Sequence, residues 1–315
     1  MIMLVLCFIF SISVVSASGD IANDKSVDNN TTYSDISPDS SKISKNMLDF
    51  DFLNIFGGKK YAYWVWASDM YNVDLDKLSS NGVKYIFLNS FAFTEYGQKD
   101  VLDWIKKAND KGIEVHVWMQ IFNTGDWISP LKNGTPDNSY FNYKIEEGRY
   151  YAGLEGVSGI QIDYIRFEGN AYNYENGTEA ISLFVKNFAQ EMRKVNPDLT
   201  LSATVMPERE KDTYFYGQDA KEISKHVDII FPMIYKGNYN QSSEWIKDTT
   251  KWFVENSEGA EVWSGIQTYK SDDDLTALPN EEMKKDTDYC FEGGAKGVSF
   301  FRWGINKELE NNGIK

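Results

Sequence analysis

Short apolar runs rich in β-branched and aromatic residues alternate along this chain with longer segments whose apolar positions recur every three or four residues. The short runs predict strands at Tyr61–Trp66, Val83–Asn89, Glu114–Gln120, Gly159–Phe167, Thr200–Val205, Ile229–Tyr235, Glu261–Gln267 and Val298–Trp303. Helical patterns fall between them, at Lys99–Asp110, Glu179–Val195, Asp219–Lys225, Ser243–Asn256 and Glu281–Glu292. Within Glu179–Val195 the set Ile181, Phe184, Val185, Phe188 and Met192 forms one apolar stripe. Glycines 82, 112, 259 and 297 each sit just before a strand, where a helix C-cap is expected. Strand–helix alternation implies a parallel sheet, and eight units imply closure into an α/β (β/α)8 TIM barrel. An open doubly wound sheet is the alternative, but no G-x-G-x-x-G follows the first strand.

The stretch Gly159–Glu168, GIQIDYIRFE, carries the most chemical information. On a strand, Gln161 and Asp163 share one face and Ile160 and Ile162 the other. An aspartate in an apolar strand is costly to bury unless it is paired or has a task. Asp163 stands at the C-terminal end of its strand, where barrel enzymes carry their chemistry. The structural alternative is an ion pair with Arg166.

Composition narrows the setting. Residues 1–17 are almost wholly apolar and end in Val15-Ser16-Ala17, which reads as a secretory signal peptide cleaved after Ala17. The run is shorter than the ~20 residues that span a bilayer, so no stable membrane insertion is expected once it is cleaved. Residues 18–52 shift to Ser, Asn, Asp and Lys and read as a disordered linker. Residues 53–315 then form the barrel domain, with about 250 residues in its strand–helix units, the usual size of one such barrel. The net charge of -15 argues against nucleic acid or an anionic membrane as partner. With two histidines and two cysteines, one of them in the signal, a zinc site is not expected, and no cofactor is implied. His116 falls on the inward face of the third strand as a core residue or a lining one, and His226 and Asp228 lie at the opposite, structural end.

The strand ends place Asp69, Asn89, Gln120, Asp163, Glu208, Tyr235, Gln267 and Trp303 at the expected mouth, with Trp66 and Trp118 nearby. Aromatic faces for stacking, together with amides and carboxyls for hydroxyl groups, suit a sugar site; packing of the barrel against its helices would account for some of these rings. Glycosidic hydrolysis needs two carboxyl groups. Asp163 is the first candidate, and Glu208, just past the fifth strand, is the second. Glu168 and Asp69 compete for the second place. A solvated charge in the run Glu208–Lys211 is the plain alternative for Glu208.

The strand IQIDYIRFE, followed by LSATVMPE, DIIFPMIYKGNY and GVSFFRWG, resembles a glycosyl-hydrolase domain family whose fourth strand ends in D-Y-I-R-F-P. The likeness covers about Lys59 to Gly304. It implies a TIM-barrel carbohydrate hydrolase, with Asp163 as the matched strand-four carboxylate and Tyr235 as the matched strand-six tyrosine. Glu168 stands where the family usually has proline. A weaker likeness is to family-18 chitinases, whose D-G-x-D-x-D-x-E strand maps onto Ser158–Ile165. There Asp163 matches the last aspartate, and Ile165 occupies the place of the catalytic glutamate. The expectation is a secreted glycoside hydrolase acting on an extracellular or cell-wall polysaccharide. Asp163 and Glu208 would be catalytic; Tyr235, Gln267, Trp303, Trp66, Trp118, Gln120 and Asp69 would bind substrate. The alternative is a non-catalytic carbohydrate-binding barrel.

Overall fold

The computed structural model describes residues 58–314. The expected signal peptide, the whole of the expected linker and residues 53–57 of the expected barrel domain therefore lie outside the described residues. Eight parallel strands close into a barrel: β1 (Lys60–Val65), β2 (Val83–Asn89), β3 (Glu114–Gln120), β4 (Gly159–Asp163), β5 (Thr200–Val205), β6 (Ile229–Pro232), β7 (Glu261–Gln267) and β8 (Gly297–Phe301). Each strand pairs with its chain neighbours, and β8 returns to β1. Each is followed by a helix: α1 (Leu75–Ser80), α2 (Gln98–Asp110), α3 (Asn138–Ala152), α4 (Gly177–Val195), α5 (Ala220–Ser224), α6 (Ser243–Asn256), α7 (Asn280–Glu292) and α8 (Lys307–Asn312). This is a (β/α)8 TIM barrel, and the open-sheet alternative is excluded by the closure.

The alternation of side chains divides the apolar residues into two layers. Outward residues such as Val65, Leu88, Val117, Ile160, Ile162 and Phe300 join the helices in one large core. Inward residues Ala62, Trp64, Phe87, Trp118, Ile229, Phe231 and Trp263 fill the barrel itself. Rings this large fit only where opposite positions are small. A Cβ on Gly159 would stand 2.4 Å from the His116 ring, one on Gly265 2.9 Å from Trp64, and one on Gly297 2.4 Å from Trp263.

That packing corrects one expectation. Gly82, Gly112 and Gly259 have positive φ between helix and strand, as C-cap glycines do. Gly297 is instead the first residue of β8, kept small by the Trp263 ring. Three expected strands are also shorter than their apolar runs. β4 stops at Asp163 because Tyr164 turns to a φ of 53°. β6 stops at Pro232, and β8 stops at Phe301. His116 is fully buried among Tyr85 and Phe87, with neither ring nitrogen hydrogen-bonded among the described residues. It is a packing residue of the lower barrel. At the same end Asp228 pairs with Arg193 at 3.1 Å and accepts the Leu201 amide.

Gly297→Ala forces a methyl group into the Trp263 ring. Overpacking of this kind costs about 1–3 kcal/mol, and the expected outcome is a urea midpoint lowered correspondingly, with the m-value unchanged.

Candidate active site

Asp163 is 6 % exposed and faces the barrel axis. Its oxygens collect donors from three consecutive strands. The Trp118 indole on β3 donates to Oδ2 at 2.9 Å, and the Thr204 hydroxyl on β5 donates to Oδ1. The Tyr164 backbone amide also donates to Oδ1, at 2.7 Å. This last bond depends on the left-handed turn at Tyr164, a conformation costly for a bulky side chain and typical of functional sites. Burial raises the Asp163 pKa above the usual aspartate value; the Thr204, Trp118 and Tyr164 hydrogen bonds and then the charge of Arg166 oppose that rise. Arg166 makes no ion pair with Asp163 among the described residues. Its guanidinium lies over Trp127, 4.6 Å from the ring centre, and 5.3 Å from the rings of Tyr164 and Tyr216.

Below Asp163 the Gln161 amide takes the Trp64 indole N–H. Around it the mouth is aromatic. Trp66 packs on Trp118 with ring centres 4.6 Å apart, and Tyr235 stacks on Phe301 at 5.4 Å. Gln120 stands opposite Asp163 in the β3–β4 register, and Asn89 opposite Trp118. Gln267 donates to Asn238 and to Asp272, which also accepts from Tyr269 at 2.9 Å and Asn238 at 2.7 Å. Asp69 lies beside this rim, 3.7 Å from Arg302.

Trp303 does not reach the mouth. It is 4 % exposed in the layer between barrel and helices, edge-on to the outward Tyr63 at 5.9 Å. A continued strand would put Trp303 on the inward face with Phe301, but β8 ends at Phe301, so Trp303 leaves that face. Phe301 is the aromatic that closes β8 over the mouth. Glu168 is exposed, five residues past Asp163 in a loop that has left the barrel. Ile165 is fully buried in the outer core.

Glu208 is not a free loop charge. Its Oε1 accepts the hydroxyls of Tyr216 at 2.8 Å and Tyr239 at 2.7 Å. Its backbone amide donates to Asp212 at 3.1 Å, which sets the two carboxyl groups close enough for each to disfavour the other's charge. Asp212 is fully buried, and its pKa rises to about 10 through burial, followed by the Glu208 charge. Two carboxyl groups so placed cannot both ionise readily, so the pair keeps a proton at neutral pH. Burial, followed by the Glu208 charge, also raises the phenol pKa values of Tyr216 and Tyr239. Arg209, immediately after Glu208, has a φ of 65°, the same left-handed device as the residue after Asp163. Buried Gln218 ties the two strand exits together, donating to the carbonyls of Ile165 and Thr204 and accepting the Met206 amide.

Tyr164, Thr204, Asp212, Tyr216, Tyr239 and Asp272 are residues of this candidate site that sequence reasoning did not single out. The run Tyr214-Phe215-Tyr216 beside an aspartate was the available signal for part of them. The Asp212 value bears on stability. A folded-state value raised above the unfolded one makes a contribution present below about pH 4 that is lost as pH rises through about 10. Wild-type stability is therefore expected to fall between about pH 5 and pH 9, by at most about 1.4 kcal/mol per pH unit. Asp212→Asn, which cannot ionise, is expected to flatten that slope in denaturant titrations across the same range.

Residues 114–255 match the model of a family described as "Putative glycosyl hydrolase domain". No curated protein matches the sequence. Among solved structures the barrel is similar to a chitinase from Chromobacterium violaceum, at 13% identity and a TM-score of 0.62, covering 82% of this chain and 98% of that one. It is also similar to the spore cortex-lytic enzyme SleL of Bacillus megaterium, at 12% identity and a TM-score of 0.55, covering 82% and 75%. A β-galactosidase from Marinomonas ef1 matches at 10% identity and a TM-score of 0.57, covering 78% and 54%. At such identities these likenesses establish the fold, and their different activities show that the fold alone does not choose a substrate. The matched segment runs from β3 through α6 and contains Asp163, Glu208 and Asp212. Over that segment the chain is similar to the glycosyl hydrolase domain family, and its (β/α)8 barrel is similar in fold to that of the Chromobacterium violaceum chitinase.

Proposed function

We propose that this glycoside hydrolase cleaves an extracellular or cell-wall polysaccharide with Asp163 and the Glu208–Asp212 pair as its working carboxyl groups. The observation that carries the proposal is the setting of Asp163: a buried carboxylate at the mouth of a barrel, aimed by three donors into an aromatic rim. In that position it stabilises, or attacks, the positive anomeric carbon as the glycosidic C–O bond breaks. The proton that the leaving oxygen needs comes from the Glu208–Asp212 pair, which retains one through neutral pH. Water then adds at the anomeric carbon and returns a proton to the pair. Trp66, Tyr235 and Phe301 supply faces for the sugar ring, with Trp118 buried beneath Trp66, and Gln120, Gln267 and Asp69 supply polar contacts. The apolar residues 1–17 support export to where such polymers are found.

Ile165 favours a second reading, a barrel that binds sugar without cleaving it, because the place of the family-18 glutamate holds a core residue. A digestion screen on cell-wall polysaccharides separates the two readings through release of reducing ends. Asp163→Asn is expected to lower turnover by about 10²-fold or more, and Glu208→Gln by about 10²–10⁴-fold; undiminished turnover in Asp163→Asn overturns the assignment. The pH–rate profile should be bell-shaped. Its acid limb reflects Asp163, titrating above the ordinary aspartate value, and activity is lost again as pH rises toward about 10 and the pair gives up its proton.

A further inference from the structure

A cleft of about 330 Å³ opens beside the barrel mouth, between the loops after β2 and β3 and one side of α3. Its volume lies in the range of small-molecule sites. Gln120 lines it, and Gln120 is the register partner of Asp163, so the cleft adjoins the catalytic carboxylate. Two aromatic side chains stand at its edge with open faces: Phe91 is 46 % exposed and Tyr143 is 64 % exposed. Exposed aromatic faces beside an active site offer stacking surface for the C–H face of a pyranose ring.

The polar lining is more specific. Lys144 is 4 % exposed, although it lines the cleft. Its ammonium has three N–H donors, and among the described residues the one side-chain acceptor in reach is Glu147, at 2.9 Å. A buried ammonium with spare donors beside a carboxylate suits adjacent hydroxyl groups: one hydroxyl accepts from Lys144 while another donates to Glu147. An acidic sugar fits poorly, because its carboxylate would meet Glu147 on a chain whose net charge is -15.

We infer that this cleft is a subsite for one neutral pyranose of the substrate, next to the ring cleaved at Asp163. The proposal rests on the glycoside hydrolase reading and adds to it that the polymer is neutral and is held at more than the cleaved residue.

The test uses Asp163→Asn, to prevent turnover, and isothermal titration with defined hexasaccharides. The neutral probes are β-1,4-linked glucose, mannose and N-acetylglucosamine hexamers and the α-1,4-linked glucose hexamer; the acidic probe is hexagalacturonate. At least one neutral hexamer is expected to bind, and hexagalacturonate is expected to bind at least 10-fold more weakly. Adding Tyr143→Ala or Phe91→Ala, both at exposed positions, should weaken the neutral hexamer by about 5- to 10-fold. Lys144→Gln should weaken it further. Because Lys144 is buried, the circular dichroism and melting of that variant are compared with those of the parent, and the Tyr143 variant is decisive if it unfolds. Binding by none of the neutral hexamers, preference for hexagalacturonate, or an affinity unmoved by Tyr143→Ala overturns the subsite. Those outcomes leave the Asp163 assignment standing; full turnover in Asp163→Asn removes that assignment, and the effect of Tyr143→Ala is then read from KM on the same hexamers.

Discussion

A carboxylate inside a barrel that lacks hydrogen bonds costs several kcal/mol, and much of the site is arranged around meeting that demand for Asp163. Its donors come from β3, from the residue after β4, and from β5. No single strand could supply them, since side chains of one strand diverge to its two faces. The closed parallel sheet brings three strand ends within reach of one carboxyl group, and the left-handed turn at Tyr164 adds a backbone amide that an extended chain would direct elsewhere. The contacts that satisfy this carboxylate structurally are the same ones that aim it at the barrel mouth.

The second carboxyl group follows a different logic. Glu208 lies beyond β5, in a loop rather than a strand, and its order comes from the phenols of Tyr216 and Tyr239 and from Asp212. Asp212 holds a proton because burial beside another acid makes a second charge too costly. A buried proton held by such a pair gives a hydrolase a store of acid at neutral pH without a histidine. Gln218, bonded to both strand exits, couples the position of this loop to that of Asp163.

The aromatic residues divide by the same geometry. Of the rings expected at the mouth, Trp66, Trp118 and Tyr235 are there, while Trp303 packs Tyr63 on the outside. The inward layer of Trp64, Phe87, Phe231 and Trp263 is plain core, accommodated by glycines at 159, 265 and 297. A chain rich in aromatic residues thus uses most of them for packing and a few for a rim. Burial relative to the strand's face, and not residue type, decides which.

The eight strands and the main helices were legible in the sequence because hydrophobic period depends on local backbone geometry, which neighbouring residues set together. Asp163 was legible for a related reason: a charge in an apolar strand contradicts its surroundings and so marks itself. The ends of strands were less clear, since an apolar run continues into the loop after the backbone has turned, as at Tyr164 and Trp303. The partners of Glu208 were not legible at all. Asp212 and Tyr216, at the two ends of a short helix, and Tyr239 are ordinary residues until the segments after β5 and β6 meet, and a retained proton requires two acids to be brought together out of water. Local pattern therefore determined the barrel and its first carboxylate, whereas the proton-holding pair and the cleft beside Gln120 arise from contacts between separate loops, which only the closed tertiary structure creates.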